Sequence, residues 1–172
     1  MKLELDKKLV EAFPLLYGDK HASMRATAMC WGFSCGDGWF DIIWDLSSKL
    51  EPLIQKFVDD NPTTEVCPKA SQVKEKFGGL RFYMTHTNDE ISDLIGKAEA
   101  LSYKTCEDCG QPGKERGGGW IRTLCDPCSE NIMEIRKKKV DEAQQRFAEN
   151  HKNTLQKLAN QQPWMLADDR DK

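Results

Sequence analysis

The sequence predicts an α+β fold in which N-terminal helices pack on a β-hairpin, followed by a four-cysteine unit and a long C-terminal helix. Three features predict this order: apolar residues at helical spacing early in the chain, an alternating stretch around a Gly-Gly pair, and two Cys-x-x-Cys pairs ahead of a stretch without proline or glycine. The 172 residues suffice for one ordinary core with extras. We therefore divide the chain into a core at 1–104, a four-cysteine unit packed on it at 105–130, a long helix at 131–162 and a flexible tail at 163–172.

The first two helices are predicted from the spacing of apolar side chains. Residues 3–16 carry such side chains at near-helical intervals, and Pro14 and Gly18 close the segment. A second helix is predicted to begin near Gly38, with an apolar stripe formed by Trp39, Ile43, Leu46, Leu50, Leu53 and Phe57. Pro52 lacks a backbone donor, so we expect a kink or a break between Ser48 and Pro52.

A β-hairpin is predicted from Gln72 to Met84, with Gly78-Gly79 as a two-residue primed turn. Alternation places one set of side chains on the apolar face: Val73, Phe77, Leu80, Phe82 and Met84. The opposite face then carries Lys74, Lys76, Arg81 and Tyr83. Lys76 would face Arg81, and because like charges so placed cost stability, we expect an acidic group to cover them. That group is either the set Asp37, Asp41 and Asp45 or a phosphate or acidic partner.

Two further helices are predicted downstream. Thr87 and Glu90 form a capping-box pair ahead of an apolar pattern that reaches Leu101. Residues 129–160 lack proline and glycine and favour one long helix. Its thin apolar stripe consists of Ile132, Ile135, Val140, Phe147, Leu155 and Leu158. A stripe this thin indicates a helix that pairs with a second copy of the chain or with a partner protein.

The most specific motif is a pair of Cys-x-x-Cys sequences separated by 15 residues, Cys106, Cys109, Cys125 and Cys128. Four thiolates form a closed tetrahedral shell around Zn²⁺, so we predict one structural zinc. Gly110 suits a tight knuckle, and Asp126-Pro127 is typical of a helix start, with Asp126 as the N-cap. This order of knuckle, hairpin and helix predicts a treble-clef-like unit. Iron in a rubredoxin-like site and unligated cysteines are the alternatives.

The basic residues near the cysteines have a predicted role as well. Lys104, Arg116 and Arg122 are close enough in sequence to offset the charge of −2 that four thiolates and one Zn²⁺ carry. Cys30, Cys35 and Cys67 are interpreted as small apolar residues with free thiols, although Cys30 and Cys35 could form a second metal site with His21 or Cys67.

The charge pattern limits the classes of function. The net charge of −3 argues against a polycation that coats nucleic acid, but residues 68–86 and 114–139 each carry a net +3. A surface that binds an anion or a partner is therefore predicted at Lys74, Lys76, Arg81, Tyr83, Arg116 and Arg122. Asp37, Asp41 and Asp45 would form one acidic stripe able to hold a metal ion, without a recognisable catalytic partner. No signal sequence or membrane span is recognisable, which favours the cytoplasm.

Three strings carry a resemblance to a known group. They are Cys30 to Trp39, Gln72 to Tyr83, and Cys106 to Gly113 with Gly119 to Cys125. The chain resembles small, mostly uncharacterised proteins of tailed phages and prophages that contain these strings in this order. The resemblance covers roughly residues 25 to 130 and implies a virus-encoded protein in the cytoplasm of a bacterial host. It implies no established reaction.

We therefore predict a phage accessory protein that acts by binding and captures or inhibits a host protein, for example one of a defence system. A phage protein is the other expected kind of protein partner, and a homodimer through the long helix is expected as well. The first alternative is a zinc-containing regulator that binds nucleic acid. The second is a metal-dependent enzyme that uses Asp37, Asp41 and Asp45.

Overall fold

The computed structural model describes residues 1–64 and 66–161, so the predicted tail at 163–172 lies outside the described residues. The fold is α+β, as predicted, with helices α1 (Leu3–Ala12), α2 (Phe40–Asp60), α3 (Asp89–Ser102) and α4 (Asp126–Gln161). The strands are β1 (Phe33–Ser34), β2 (Ala70–Lys76), β3 (Gly79–Met84), β4 (Lys114–Arg116) and β5 (Arg122–Leu124). Two compact units divide the chain, unit 1 from Met1 to Ser129 and unit 2 from Glu130 onward.

The core of unit 1 lies between the first three helices and one sheet. β1 pairs in parallel with β2, and β2 pairs antiparallel with β3, which gives the sheet order β1-β2-β3. Trp39, Ile43, Leu50 and Val73 are completely buried in this core. Burial of such large apolar side chains supplies the main driving force for folding.

The outer edge of β3 is covered by α3. The backbone N–H of Leu80 donates to Ser102 Oγ at 2.8 Å, and the N–H of Phe82 donates to Glu99 Oε1 at 3.3 Å. These side chains satisfy strand donors that would otherwise form an exposed edge. The predicted packing of helices on the hairpin is therefore fixed by hydrogen bonds as well as by apolar contacts.

The predicted hairpin turn is wrong by one residue. Phe77 and Gly78 form the turn, with φ angles of 53° and 77°, and Lys76 pairs with Gly79. The sequence favoured Gly78-Gly79 because glycine adopts positive φ without strain, whereas an aromatic residue rarely does so. Gly79 serves a different purpose, since the ring of Tyr103 occupies the space that a Cβ would need.

This shift changes the cross-strand neighbours. Lys74, rather than Lys76, lies opposite Arg81. Phe77 leaves the apolar face and is 67% exposed at the tip of the hairpin. Lys74, Lys76, Arg81 and Tyr83 still share one face, because both strands keep their alternation.

Of the predicted kink or break between Ser48 and Pro52, the break is wrong, because helix α2 runs from Phe40 to Asp60 with Pro52 inside it. The missing donor at Pro52 costs one helical hydrogen bond but does not end the helix. The predicted cap of α3 is also displaced. Asn88, not Thr87, is the N-cap, and its Oδ1 accepts from the N–H of Ile91 at 2.8 Å. Asparagine is as good an N-cap as serine or threonine, which explains the ambiguity.

Candidate metal centre and its surroundings

The four predicted cysteines converge. The ligand atoms of Cys106, Cys109, Cys125 and Cys128 all lie within 4.8 Å of one another, and the sulfurs of Cys109 and Cys125 are 3.5 Å apart. A Zn–S bond of about 2.3 Å in a tetrahedron places sulfurs about 3.8 Å apart. The observed spacing therefore fits a single tetrahedral metal ion. Among the described residues, this is the one group of convergent cysteine, histidine or carboxylate ligands.

Local backbone geometry brings each cysteine pair to the centre. In the first pair, Gly110 has a φ of 77° and its N–H donates to the Cys106 carbonyl at 2.9 Å, which closes a tight knuckle. The second pair follows strand β5, and Cys128 lies in the first turn of α4. Asp126 is the first residue of that helix rather than the predicted N-cap. Its carboxylate binds Arg116 and Lys114 instead.

The knuckle also changes the acidity of its thiols. Burial raises the pKa of Cys106, but backbone N–H groups of Cys125, Cys109 and Asp108 together outweigh this effect and lower the pKa to about 7. By contrast, hydrogen bonding with the Cys125 sulfur, together with burial, raises the pKa of Cys128. The centre thus holds one thiol with a lowered pKa, Cys106, and one with a raised pKa, Cys128. A divalent cation favours the thiolate form of the cysteines that bind it.

The knuckle docks on the segment Gly36–Trp39. The N–H of Gly38 donates to the Glu107 carbonyl at 2.8 Å, and Trp39 Nε1 donates to the Thr105 carbonyl at 2.9 Å. A Cβ at Gly38 would overlap the Cys106 carbonyl oxygen, so only glycine allows this approach. This role of Gly38 was not predicted from the sequence. The pattern that could have indicated it is Gly36-Asp37-Gly38-Trp39. Its two glycines let the backbone of residues 106 and 107 approach closely, and its tryptophan is buried.

Glu107 is the polar centre of this contact. It is buried, and its side chain accepts from the N–H of Gly36 at 2.9 Å and from Arg122 Nε at 2.8 Å. Arg122 also binds Asp108 at 2.6 Å. Arg116 donates to the Leu124 carbonyl as well as to Asp126. Both arginines thus bind carboxylates of the cysteine unit.

The hairpin face carries the other predicted anion-binding residues. The Arg81 guanidinium donates hydrogen bonds to the Leu80 carbonyl and to the Tyr103 hydroxyl, and it forms an ion pair with Glu99 at 3.9 Å. Glu99 is therefore the acidic group beside Arg81, and the expectation that Asp37, Asp41 and Asp45 lie there is wrong. Lys74 lies 5.7 Å from the ring centroid of Tyr83, and Lys76 lies 5.4 Å from that of Phe77. No ion pair involves either lysine within residues 1–64 and 66–161.

The acidic stripe predicted along α2 does not form. Asp37 lies in a 3₁₀ turn before the helix, where Lys2 binds it through its backbone N–H at 2.7 Å and its Nζ at 3.1 Å. Burial raises the pKa of Asp37, and these bonds outweigh that effect and lower it. Asp45 pairs with Lys49 one turn further along α2, and Asp41 is exposed. The three carboxylates therefore do not converge on a metal site.

The remaining cysteines lie outside the centre. Cys35 is buried in the core, and burial raises its pKa to about 12. Cys30 is half-buried, with its sulfur 3.2 Å from the Thr27 carbonyl, and Cys67 is half-buried as well. None of the three belongs to the group of convergent ligands.

Comparisons with protein-family models, with curated proteins and with solved structures found no match to this chain. In the described part of the chain, no helix combines the length and the apolar character needed to cross a membrane.

Proposed function

We propose that the chain is a zinc-stabilised binding protein. Its four cysteines hold one Zn²⁺ in a closed site of the treble-clef type, with ligands from a knuckle, from the end of a hairpin and from the first turn of a helix. The convergence of four thiol sulfurs supports this assignment. A shell of four thiolates leaves no position for water or substrate, so the metal serves to hold the cysteine unit against the core.

The observation that carries the binding role is a row of exposed apolar side chains on α4. Met133, Val140, Phe147 and Leu158 are all largely exposed, and Phe147 reaches 75%. They recur at intervals of seven, seven and eleven residues, each of which returns to the same side of a helix within about 20°. We call these four residues the α4 stripe. A helix rarely keeps such a stripe in water unless another surface covers it.

The other apolar residues predicted for this interface lie to the side. Ile132 and Ile135 are turned from Val140 by about 80° and 140° around the helix. Leu155 is about 60° from Leu158 and borders the stripe. The binding surface is therefore narrower than the six residues named from sequence, and it includes Met133.

The partner that we propose is a protein of the bacterial host, for example a component of a defence system, met in the bacterial cytoplasm. The resemblance of three sequence strings to proteins of tailed phages supports this source, and the apolar character of the α4 stripe favours a protein surface over a charged polymer.

Site-specific crosslinking tests this role. A photo-crosslinking amino acid at position 147 is compared with the same residue at position 145, which lies about 160° away on α4. Both variants are expressed in infected bacteria, and nuclease is added before purification. We expect a crosslinked host protein from position 147 only. Equal products from both positions, or none, would contradict capture through the α4 stripe.

A further inference from the structure

Two exposed aromatic side chains flank a groove on unit 1. Phe77 at the hairpin tip and Trp120 in the loop before β5 are 67% and 66% exposed. With Glu75, Lys76 and Ile121 they line a groove of about 440 Å³. This volume lies within the range of ligand pockets, about 300 to 1,000 Å³.

The backbone holds Phe77 at this groove at a cost. Its φ of 53° is in the left-handed region, where a residue with a Cβ is strained by about 1–2 kcal/mol. Two side chains fix the turn, since the N–H of Gly78 donates to Glu75 Oε1 at 2.7 Å and Thr123 Oγ1 donates to the Gly78 carbonyl at 2.6 Å. A strained and exposed aromatic residue held so firmly is characteristic of a binding site.

The loop that carries Trp120 differs from the hairpin turn, because the glycines before Trp120 have open space around them. Gly118 and Gly119 have φ angles of 106° and 69°, and no atom lies within 4 Å of a Cβ placed on either of them. Packing therefore does not explain these glycines. They allow backbone conformations that other residues resist, and Trp120 follows them directly at the groove.

Two lysines lie at or beside the groove, and its one acidic lining residue, Glu75, accepts a hydrogen bond from the N–H of Gly78. Lys74 and Lys76 share the hairpin face with Tyr83, about 7 Å apart along β2. Arg81, by contrast, is engaged by Glu99 and Tyr103. The two lysines are the cations that this face offers to an anion.

From this combination we infer that the groove binds single-stranded nucleic acid. One base stacks between Phe77 and Trp120, while Lys74 and Lys76 contact the adjacent phosphates and Tyr83 offers a further ring. Aromatic platforms next to a positive strand are the usual means of binding single strands, because every base has a stackable face. A duplex hides its bases within the stack, so it cannot occupy this groove in the same way. The site lies on unit 1 and does not depend on capture through the α4 stripe.

Fluorescence anisotropy with labelled oligothymidine and oligouridine of about 12 nucleotides at about 50 mM salt tests the inference. We expect both to bind, and a duplex of the same length to bind more weakly. Trp120→Ala should weaken binding about tenfold. Phe77→Gly should weaken it similarly while the melting temperature stays the same or rises, because glycine relieves the positive φ. Trp31→Ala is the matched control, since Trp31 is 68% exposed at another site. The affinity of this variant for the oligonucleotides should not change.

Salt dependence tests the two lysines. Lys74→Glu with Lys76→Glu should weaken binding and reduce the slope of log affinity against log salt by about 1.4, the value for two lost phosphate contacts on a single strand. Three outcomes would overturn the inference: no oligonucleotide binding at low salt, unchanged affinity in Trp120→Ala and Phe77→Gly, or equally tight binding of duplex. Loss of a protein partner on Trp120→Ala without any oligonucleotide binding would assign the groove to a protein instead.

Discussion

The N–H of Gly38 donates a 2.8 Å hydrogen bond to the carbonyl of Glu107, and this bond joins the start of α2 to the cysteine knuckle. The two residues are far apart in sequence, yet a Cβ at Gly38 would overlap the knuckle backbone. The metal centre and the core are therefore one structure, because the backbone that positions Cys106 is also the surface on which Gly38 rests.

This contact predicts that Gly38→Ala destabilises unit 1. The added methyl group must displace the knuckle, so we expect the melting temperature to fall and bound metal to be lost more readily to a chelator. Gly96→Ala is the matched control, because Gly96 lies inside α3 with no atom near its Cβ position. That change should stabilise the protein by about 0.5–1 kcal/mol. Equal melting temperatures in the two variants would contradict the docking role of Gly38.

The metal centre predicts that Cys125→Ser loses stability. Metal-binding free energy contributes to folding free energy, so we expect the melting temperature to fall by about 10 °C or more. Cys67→Ser is the control, because Cys67 is half-buried and outside the group of ligands. Calorimetry of both variants and of chelator-treated protein measures the effect. A Cys125→Ser protein that melts like the Cys67→Ser protein would refute a stabilising metal.

Alkaline pH should destabilise the protein through Cys35. Burial raises its pKa to about 12 from an ordinary value near 9, so between these pH values the unfolded state loses a proton that the folded state keeps. Stability should therefore be fully present below pH 9 and decrease above it. Burial also raises the pKa of Tyr17, which adds to the loss at higher pH.

Urea unfolding at pH 8 and pH 10 measures this effect. Cys35→Ala should remove about 1.4 kcal/mol of the decrease between pH 8 and pH 10, because the unfolded state then no longer loses the Cys35 proton over this range. Cys30→Ala is the control for loss of a half-buried thiol. If Cys35→Ala keeps the full decrease, Cys35 is not the titrating group.

The α4 stripe predicts self-association when no partner is present. Two copies can cover the stripe by pairing their helices, so light scattering of the purified chain should report a dimer that dissociates on dilution. Phe147→Asp with Leu158→Asp should weaken the dimer at least about a hundredfold, because pairing would bury charge. Gln145→Asp with Gln156→Asp introduces the same charges at the same spacing about 160° around the helix and should leave the dimer intact. A monomer at high micromolar concentration would show that the stripe does not pair with itself.

The features that depend on the local spacing of residues were predictable from the sequence. The two Cys-x-x-Cys pairs, the helices and the hairpin are each encoded within a short stretch of chain, and the structure confirms their presence. The position of the hairpin turn could not be predicted from local spacing. Gly78-Gly79 has ideal local chemistry for a turn, but the turn lies at Phe77-Gly78, and the ring of Tyr103 lies where a Cβ at position 79 would be. The local preference alone therefore does not decide where the turn lies.

The docking of the knuckle was unpredictable for a related reason. Gly36, Gly38 and Glu107 meet across the fold, and no periodicity links them. Arg116 and Arg122 lie near the cysteines in sequence, but a charge count does not reveal that nearby carboxylates bind them. Contacts between segments that are distant in sequence leave no pattern in the local spacing of residues.

Zinc K-edge X-ray absorption of protein purified without added metal tests the central claim most directly. The account predicts one zinc per chain surrounded by four sulfurs at about 2.3 Å, with no nitrogen or oxygen neighbour. Iron in place of zinc, a light-atom ligand in the first shell, or a chain that folds to the same stability without metal would contradict it.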